Sequence, residues 1–555
     1  MTGRLLALSL VVLAGCAPVT RARPPASNAP TQVRPGTPDD VNIALARASG
    51  RQRAFAWREF GPEAFAEAAR EGRSILIHGA AEWCHWCHVM EETTYKDPRV
   101  GEILRDRFVT IRVDIDSRPD LEERYEEWGW PATIVLDPHA EELAKYRGYI
   151  PADRMVELLG DMDGGTARVA RERAFPVEPP APVAALPWVG ANTAVRLDTY
   201  FDPDGGGWGF RQKAPIGLNV LWELRRHRRG DPDALGRAVF ALEHHARLLD
   251  PVWGGIYQYA TGGGWDEPHY EKLMSYQAHN LAAFAAGYRA TKDARWLTAA
   301  RGIAGYLDRF LSDPRGAFFA SQDADVGAHD PSVPFVDGDV YYRLSDRQRR
   351  ARGIPRIDDH VYAEENGLAI GALCELFAAT GDEAVWRRAR RAADVVWASH
   401  VDDDGGVVHD STRREVRFLA DAAELGFALA RLAEVAPDRG QGERYRERAL
   451  AVAAWLETEL VAPSGALWGN TVDPSATGVF ARRRQPHGGN VSAARLYAAL
   501  ERLTGDAAWG AAARRVLAGI ARPVPLREQG RMVGGFLLAL EEAGGLTWPD
   551  RPQPR

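Results

Sequence analysis

Hydrophobic and polar positions divide the chain into stretches of different character. An apolar run at 5–13, broken only by Ser9, follows Arg4 and ends at Leu13-Ala14-Gly15-Cys16, and 17–40 is then rich in Pro, Ala, Thr and Arg without periodicity. Over 51–175 the pattern predicts a helix at 63–71, a buried strand at 74–78, helices at 88–95 and 98–106, and strands at 108–114 and 134–136. Strand–helix–strand order with short connections implies a parallel or mixed α/β sheet. Five prolines in 176–189 mark a linker. Within 190–545 apolar residues recur every three or four positions at 238–249, 276–288, 294–311, 368–380, 383–399, 421–435, 444–460, 491–503 and 507–520. These helices come in pairs separated by turns such as Thr380-Gly381-Asp382 and Thr504-Gly505-Asp506. Repeated helical hairpins predict a closed toroid or a solenoid.

The length of 555 residues favours at least two domains. A net charge of -7 with no long basic run argues against nucleic acid as a partner. Four cysteines, Cys16, Cys84, Cys87 and Cys374, are too few for a disulfide-stapled scaffold. Each is therefore read from its surroundings. The 5–13 run is too short to be a permanent membrane helix. With the small residues before Cys16 it resembles a lipoprotein signal peptide, 1–16, whose cysteine is lipidated. That implies a chain anchored to a bacterial envelope membrane, facing periplasm or exterior, with 17–50 as its tether. The alternative is an ordinary secretory peptide. Cys374 lies in an apolar helix and reads as an inert buried thiol.

Cys84-His85-Trp86-Cys87 follows a strand and opens a helix. A cysteine so placed faces unpaired backbone N–H groups and the positive end of the helix dipole, both of which stabilise a thiolate. Cys84 is the expected attacking thiol, ionised and accessible, and Cys87 the resolving one. Alternatives are a permanent disulfide, or half of a zinc site with His85 and His88. No second CxxC exists to complete the latter, and neither metal nor cofactor is assigned.

Ala81-Glu82-Trp83-Cys84-x-x-Cys87, with Pro131 in the position of that family's cis-proline, resembles thioredoxin. Trp83, His85, Trp86, His78 and Pro131 then become the supporting redox residues. His78 replaces the buried carboxylate of thioredoxins and reads either as a proton relay or as a packed core residue. The longer string Trp83 to Glu91 is similar to the thioredoxin domain-containing family that includes the spermatogenesis-associated thioredoxin-like proteins. So are Gly205 to Phe210, Asp250 to Tyr257, Pro268 to Met274, Ser321 to Asp325, Asn366-Gly367 and Asp421. That resemblance implies a thioredoxin-like α/β domain followed by an (α/α)6 toroid like those of sugar epimerases and six-hairpin glycosidases. Glu364-Glu365 departs from the pattern before Asn366-Gly367.

The implied toroid cleft would be lined by Trp253, Tyr257, Trp265, His269, Glu271, Asp323, Asp325, Asn366 and Asp421. There aromatics would stack on sugar rings and carboxylates act as acid and base. The other reading has these residues brace long loops. Three functions are expected: a thiol–disulfide oxidoreductase with a protein thiol or disulfide partner and a client- or glycan-binding toroid; a carbohydrate-active toroid with a regulatory redox domain; or a non-catalytic envelope scaffold.

Overall fold

The computed structural model describes residues 47, 50–125, 129–160, 162 and 179–546; Cys16, the signal peptide, most of the tether and the first part of the linker lie outside them. The α/β unit runs α1 (Pro62–Glu71), β1 (Ser74–Ala80), α2 (His85–Glu92), α3 (Pro98–Arg107), β2 (Phe108–Asp114), α4 (Pro119–Tyr125), β3 (Ala132–Leu136), β4 (Glu142–Arg147) and α5 (Ala152–Gly160). Ile75, Leu76 and Ile77 are buried on both faces, which places β1 inside the sheet. The order is β2-β1-β3-β4, with β1 parallel to β2 and antiparallel to β3; Ile77 pairs Ile111 on one side and Ile134 on the other. This is the expected thioredoxin-like arrangement.

The helical unit comprises α6 (Leu186–Asp198), α7 (Gly217–Arg228), α8 (Ala234–His245), α9 (Met274–Thr291), α10 (Ala294–Phe310), α11 (Ala363–Thr380), α12 (Glu383–His400), α13 (Leu419–Val435), α14 (Arg439–Glu459), α15 (His487–Thr504), α16 (Ala507–Ile520) and α17 (Gly534–Glu542). Helices α7, α9, α11, α13, α15 and α17 each pack on the next, and α17 packs back on α7. They form the inner wall of a closed (α/α)6 toroid. Outer helices α8, α10, α12, α14 and α16 back the inner helices that precede them, while α6 backs α17. The sixth hairpin is thus built from the two ends of the unit.

Five outer-to-inner connections repeat one turn: Asp202 to Trp208, Asp250 to Ile256, Asp313 to Phe318, Asp402 to Val407 and Ala462 to Leu467, each closed by a bridge such as Leu249 to Ile256. Amides on the inner helices clamp these turns. Asn366 Oδ1 accepts from the Phe318 N–H and its Nδ2 donates to the Phe318 carbonyl, at 2.8 and 3.0 Å. Asn490 does the same to Leu467, and Gln277 to Ile256. At Gly254, φ is 75° and a Cβ would lie 2.3 Å from the Gly302 carbonyl oxygen, so only glycine fits.

Periodicity misses α6, α7 and α17. The linker prediction of 176–189 overruns α6, because Pro187 sits in its first turn, where the missing N–H costs no hydrogen bond. Helix α7 ends in Arg225-Arg226-His227-Arg228, and α17 opens on two glycines; both blur the apolar stripe. No helix among the described residues is long and apolar enough to cross a membrane.

Candidate functional site

Helix α2 starts at the end of β1. Cys84 is its N-cap, and its Sγ accepts the Cys87 N–H at 3.2 Å, as the redox reading requires. Cys84 and Cys87 form a disulfide, and the Trp130–Pro131 peptide is cis. One expectation fails: Cys84 is only 3% exposed and Cys87 fully buried, so the pair is walled off as the molecule stands. Leu273, of a small sheet made by Lys272–Leu273, Ser321–Gln322 and Ile357–Asp358 of the toroid, packs against the apolar cluster holding Trp83, Cys84 and Cys87. Trp86 is half-buried beside Tyr149.

The cap is polar as well as apolar. His85 Nδ1 lies 2.6 Å from Asp325 Oδ2; burial opposes charge on this ring, but Asp325 lifts its pKa to about 10. Asp325 Oδ1 in turn accepts the Gly338 N–H at 2.9 Å. Trp83 Nε1 donates to Asp116 Oδ2 at 2.8 Å, and the Asp116 carbonyl accepts from His409 Nε2 at 2.7 Å. His409 Nδ1 meets Asp421 at 2.9 Å; burial again opposes charge, and Asp421 raises the ring to about 9. Arg482 pairs with Glu141, the Val479 N–H donates to the Ala140 carbonyl at 2.9 Å, and Phe480 packs edge-on against Phe60.

His78 is fully buried, stacked on Trp57, with Nδ1 3.4 Å from the Tyr95 hydroxyl and Nε2 3.5 Å from Glu91 Oε1. Burial holds its pKa down. Arg112 donates to Glu91 at 2.7 Å. His78 is thus packed in the core, against the part-buried Glu91–Arg112 ion pair.

The nine residues expected in a toroid cleft lie elsewhere. Trp253 is buried beside Arg349, Tyr257 beside Tyr342, and Trp265 Nε1 donates to the Gly205 carbonyl. Asn366 clamps Phe318, and Asp421 caps α11 by accepting the Glu364 N–H. His269 and Glu271 neighbour His85 electrostatically; burial lowers His269 to about 4 and raises Glu271 to about 7. Asp323 and Asp325 face the histidines of α2. The sequence places a redox motif and a sugar cleft in separate domains, whereas the structure joins the motif to His269, Glu271, Asp323 and Asp325.

The lumen has other lining. A chamber of about 1000 Å³ at the α/β end is walled by Glu364, Glu424, His279, His487, Trp468 and Phe536, with Pro119, Glu122 and Glu123 of the α/β unit at its rim. Burial lowers His279 and His487 to about 4 and raises Glu364 and Glu424. A second chamber of about 860 Å³ at the other end is crossed by ion pairs such as Arg229–Glu541, Arg495–Glu542 and Arg289–Glu375. Sequence reading misses these residues. The available signal is that Glu364, His279, Glu424 and His487 all stand within the first two turns of inner helices.

Fold and site define a thioredoxin-like domain with a CxxC pair, docked on an (α/α)6 toroid. Residues 48–163 match the family model Thioredox_DsbH, described as a protein of unknown function, DUF255. Human spermatogenesis-associated protein 20 is 27% identical over 305 residues, 48% of this chain and 39% of that protein; the match spans about two fifths of the relative's length. Thiol:disulfide interchange protein DsbD 1 of Pseudomonas aeruginosa is 34% identical over 102 residues, 17% of each chain. Cellobiose 2-epimerase from Spirochaeta thermophila aligns at TM-score 0.48 and 15% identity, covering 65% of this chain and 96% of that one.

Proposed function

We propose that the chain is a thiol–disulfide oxidoreductase whose cysteine pair is kept under a cap supplied by its own toroid. The observation that carries this reading is Cys84 at the helix N-cap, its sulfur accepting the Cys87 N–H one turn from the sulfur that resolves it. The similarity of this domain to a thiol:disulfide interchange protein supports the same chemistry. In the exchange, an incoming thiolate attacks one sulfur of the disulfide and forms a mixed disulfide. A second thiol of the partner, or a second external thiol, then attacks that bond, which joins the two incoming sulfurs as a disulfide and leaves Cys84 and Cys87 as thiols. Access requires the contacts from Leu273 and Asp325 to part, so the toroid decides which partner reaches the sulfurs. The Cys16 motif supports an envelope location for this activity. Trapping with Cys87→Ser tests the function: a mixed disulfide through Cys84 with an envelope protein or a small thiol is expected. Absence of any adduct, even after Asp325→Ala loosens the cap, would remove the redox reading.

A second reading follows from the lumen chamber at the α/β end. Buried neutral imidazoles and raised carboxyls opposite Trp468 are the groups that bind a sugar and move its protons. In this reading the lumen takes a saccharide and the docked redox domain narrows its mouth.

A further inference from the structure

His88 follows Cys87 directly and is aimed out of α2 toward the toroid. It is 5% exposed, yet neither ring nitrogen has a hydrogen-bond partner. A buried imidazole with two idle nitrogens costs free energy unless something else bonds to it. Opposite stand Asp323 and His329 of the toroid loop. Asp323 Oδ2 is 3.7 Å from His88 Nδ1 and 3.0 Å from His329 Nε2, which also lies 2.8 Å from the Glu82 carbonyl oxygen, a contact that a bound ion would replace; one ligand atom from each of the three residues lies within 4.8 Å of the others. Metal–ligand bonds of roughly 2.0–2.1 Å in a tetrahedral site put ligand atoms about 3.3–3.5 Å apart. The two measured spacings straddle that separation. The far nitrogen of His329, Nδ1, is 3.3 Å from Glu82 Oε2, the carboxylate–histidine arrangement that orients an imidazole toward an ion.

We propose that His88, Asp323 and His329 form a site for a divalent ion of the zinc type, joining the redox domain to the toroid one residue from the cysteine pair. Two imidazoles and one carboxylate suit zinc better than the hard, all-oxygen cations. His88 comes from one domain and the other two ligands from the second. Bound metal therefore holds the cap closed, and its removal frees one of the contacts over Cys84 and Cys87. This site uses no thiolate, and it is independent of whether the cysteines exchange.

The test uses the full chain with its disulfide intact, stripped by chelator and titrated with Zn²⁺ alone by calorimetry, with metal content measured after dialysis. One zinc per chain is expected. His329→Ala and Asp323→Asn should each weaken it at least 100-fold, while the double variant Cys84→Ser, Cys87→Ser binds as the parent does. Circular dichroism checks that each variant is folded. Co²⁺ in place of zinc should give visible bands of a nitrogen–oxygen site without sulfur charge transfer, a readout that survives even if one variant misfolds. Failure of the parent to bind zinc, loss of binding only in the cysteine double variant, or a sulfur-to-cobalt band would each overturn the site.

Discussion

His85 and Asp325, 240 residues apart in sequence, meet at 2.6 Å and tie the residue between the two cysteines to a loop of the toroid. Asp325 is fully buried and His85 largely so, so the pair is not a surface ion pair of small worth. Removing Asp325 takes away the group that holds the ring charged, so burial returns His85 to its neutral form and the contact across the cap is lost. Asp325→Ala is expected to raise the rate at which dithiothreitol reduces the Cys84–Cys87 bond at least tenfold. An unchanged rate, measured by thiol labelling, would mean that this contact does not govern access.

A second expectation concerns pH. Burial raises Asp114 to about 7, helped by Asp358 and Glu82 and opposed by Arg112. Glu365 also reaches about 7 through burial, with Asp421 and Asp358 raising it and His409 lowering it. Asp116, among Asp114, Glu122, Asp358 and Glu365, is raised as well. A carboxyl with a folded pKa above its unfolded one contributes stability that is fully present below the unfolded value and lost as pH rises through the folded value. Stability should therefore fall between about pH 4 and 7, by up to about 1.4 kcal/mol per pH unit for each proton released. Thermal unfolding across that window measures it, and Glu365→Gln should flatten the slope.

Asp250 lies between Lys272 Nζ at 2.8 Å and Arg349 Nη1 at 2.7 Å, all three fully buried. Burial works against its charge, but the two cations hold Asp250 down at about 2, while burial pushes Lys272 down to about 8. Asp250→Ala strands two cations and should destabilise the toroid by about 3–5 kcal/mol, read as a lowered unfolding midpoint. A midpoint within experimental scatter of the parent would refute this role.

The chamber at the α/β end gives a separate test. If a saccharide occupies it, Trp468→Ala should weaken binding about tenfold, roughly 1.4 kcal/mol, in calorimetry against a panel of neutral mono- and disaccharides. The rate of disulfide reduction should not change. A parent that binds none of the panel removes the carbohydrate reading.

Much of this architecture is legible in the sequence because local rules suffice for it. The buried run Ile75-Leu76-Ile77 and the CxxC at a strand-to-helix junction define the α/β unit without reference to distant contacts. Paired amphipathic stretches likewise give most of the toroid. Asp323 and Asp325 show where local reading stops. They stand in a loop, and their chemistry depends on histidines more than 230 positions earlier, a relationship that no periodicity carries. Asn366 and Trp253 illustrate the reverse case, since their residue types suggest a sugar site while their hydrogen bonds and packing serve the loop layer. Cys84 carries the same lesson for exposure: its N-cap position is local information, but its cover comes from Leu273 and the loop around 325.

Ring closure sets an order of events during synthesis. The sixth hairpin needs α6 and α17, so the toroid stays open until residue 542 has left the ribosome, long after the cysteines have. Leu273, Asp325, His409 and Phe480, which hold the lid in place, all emerge later than Cys87. The sulfurs thus stay bare until those residues are in place, and ring closure seals in whatever bond they have made by then.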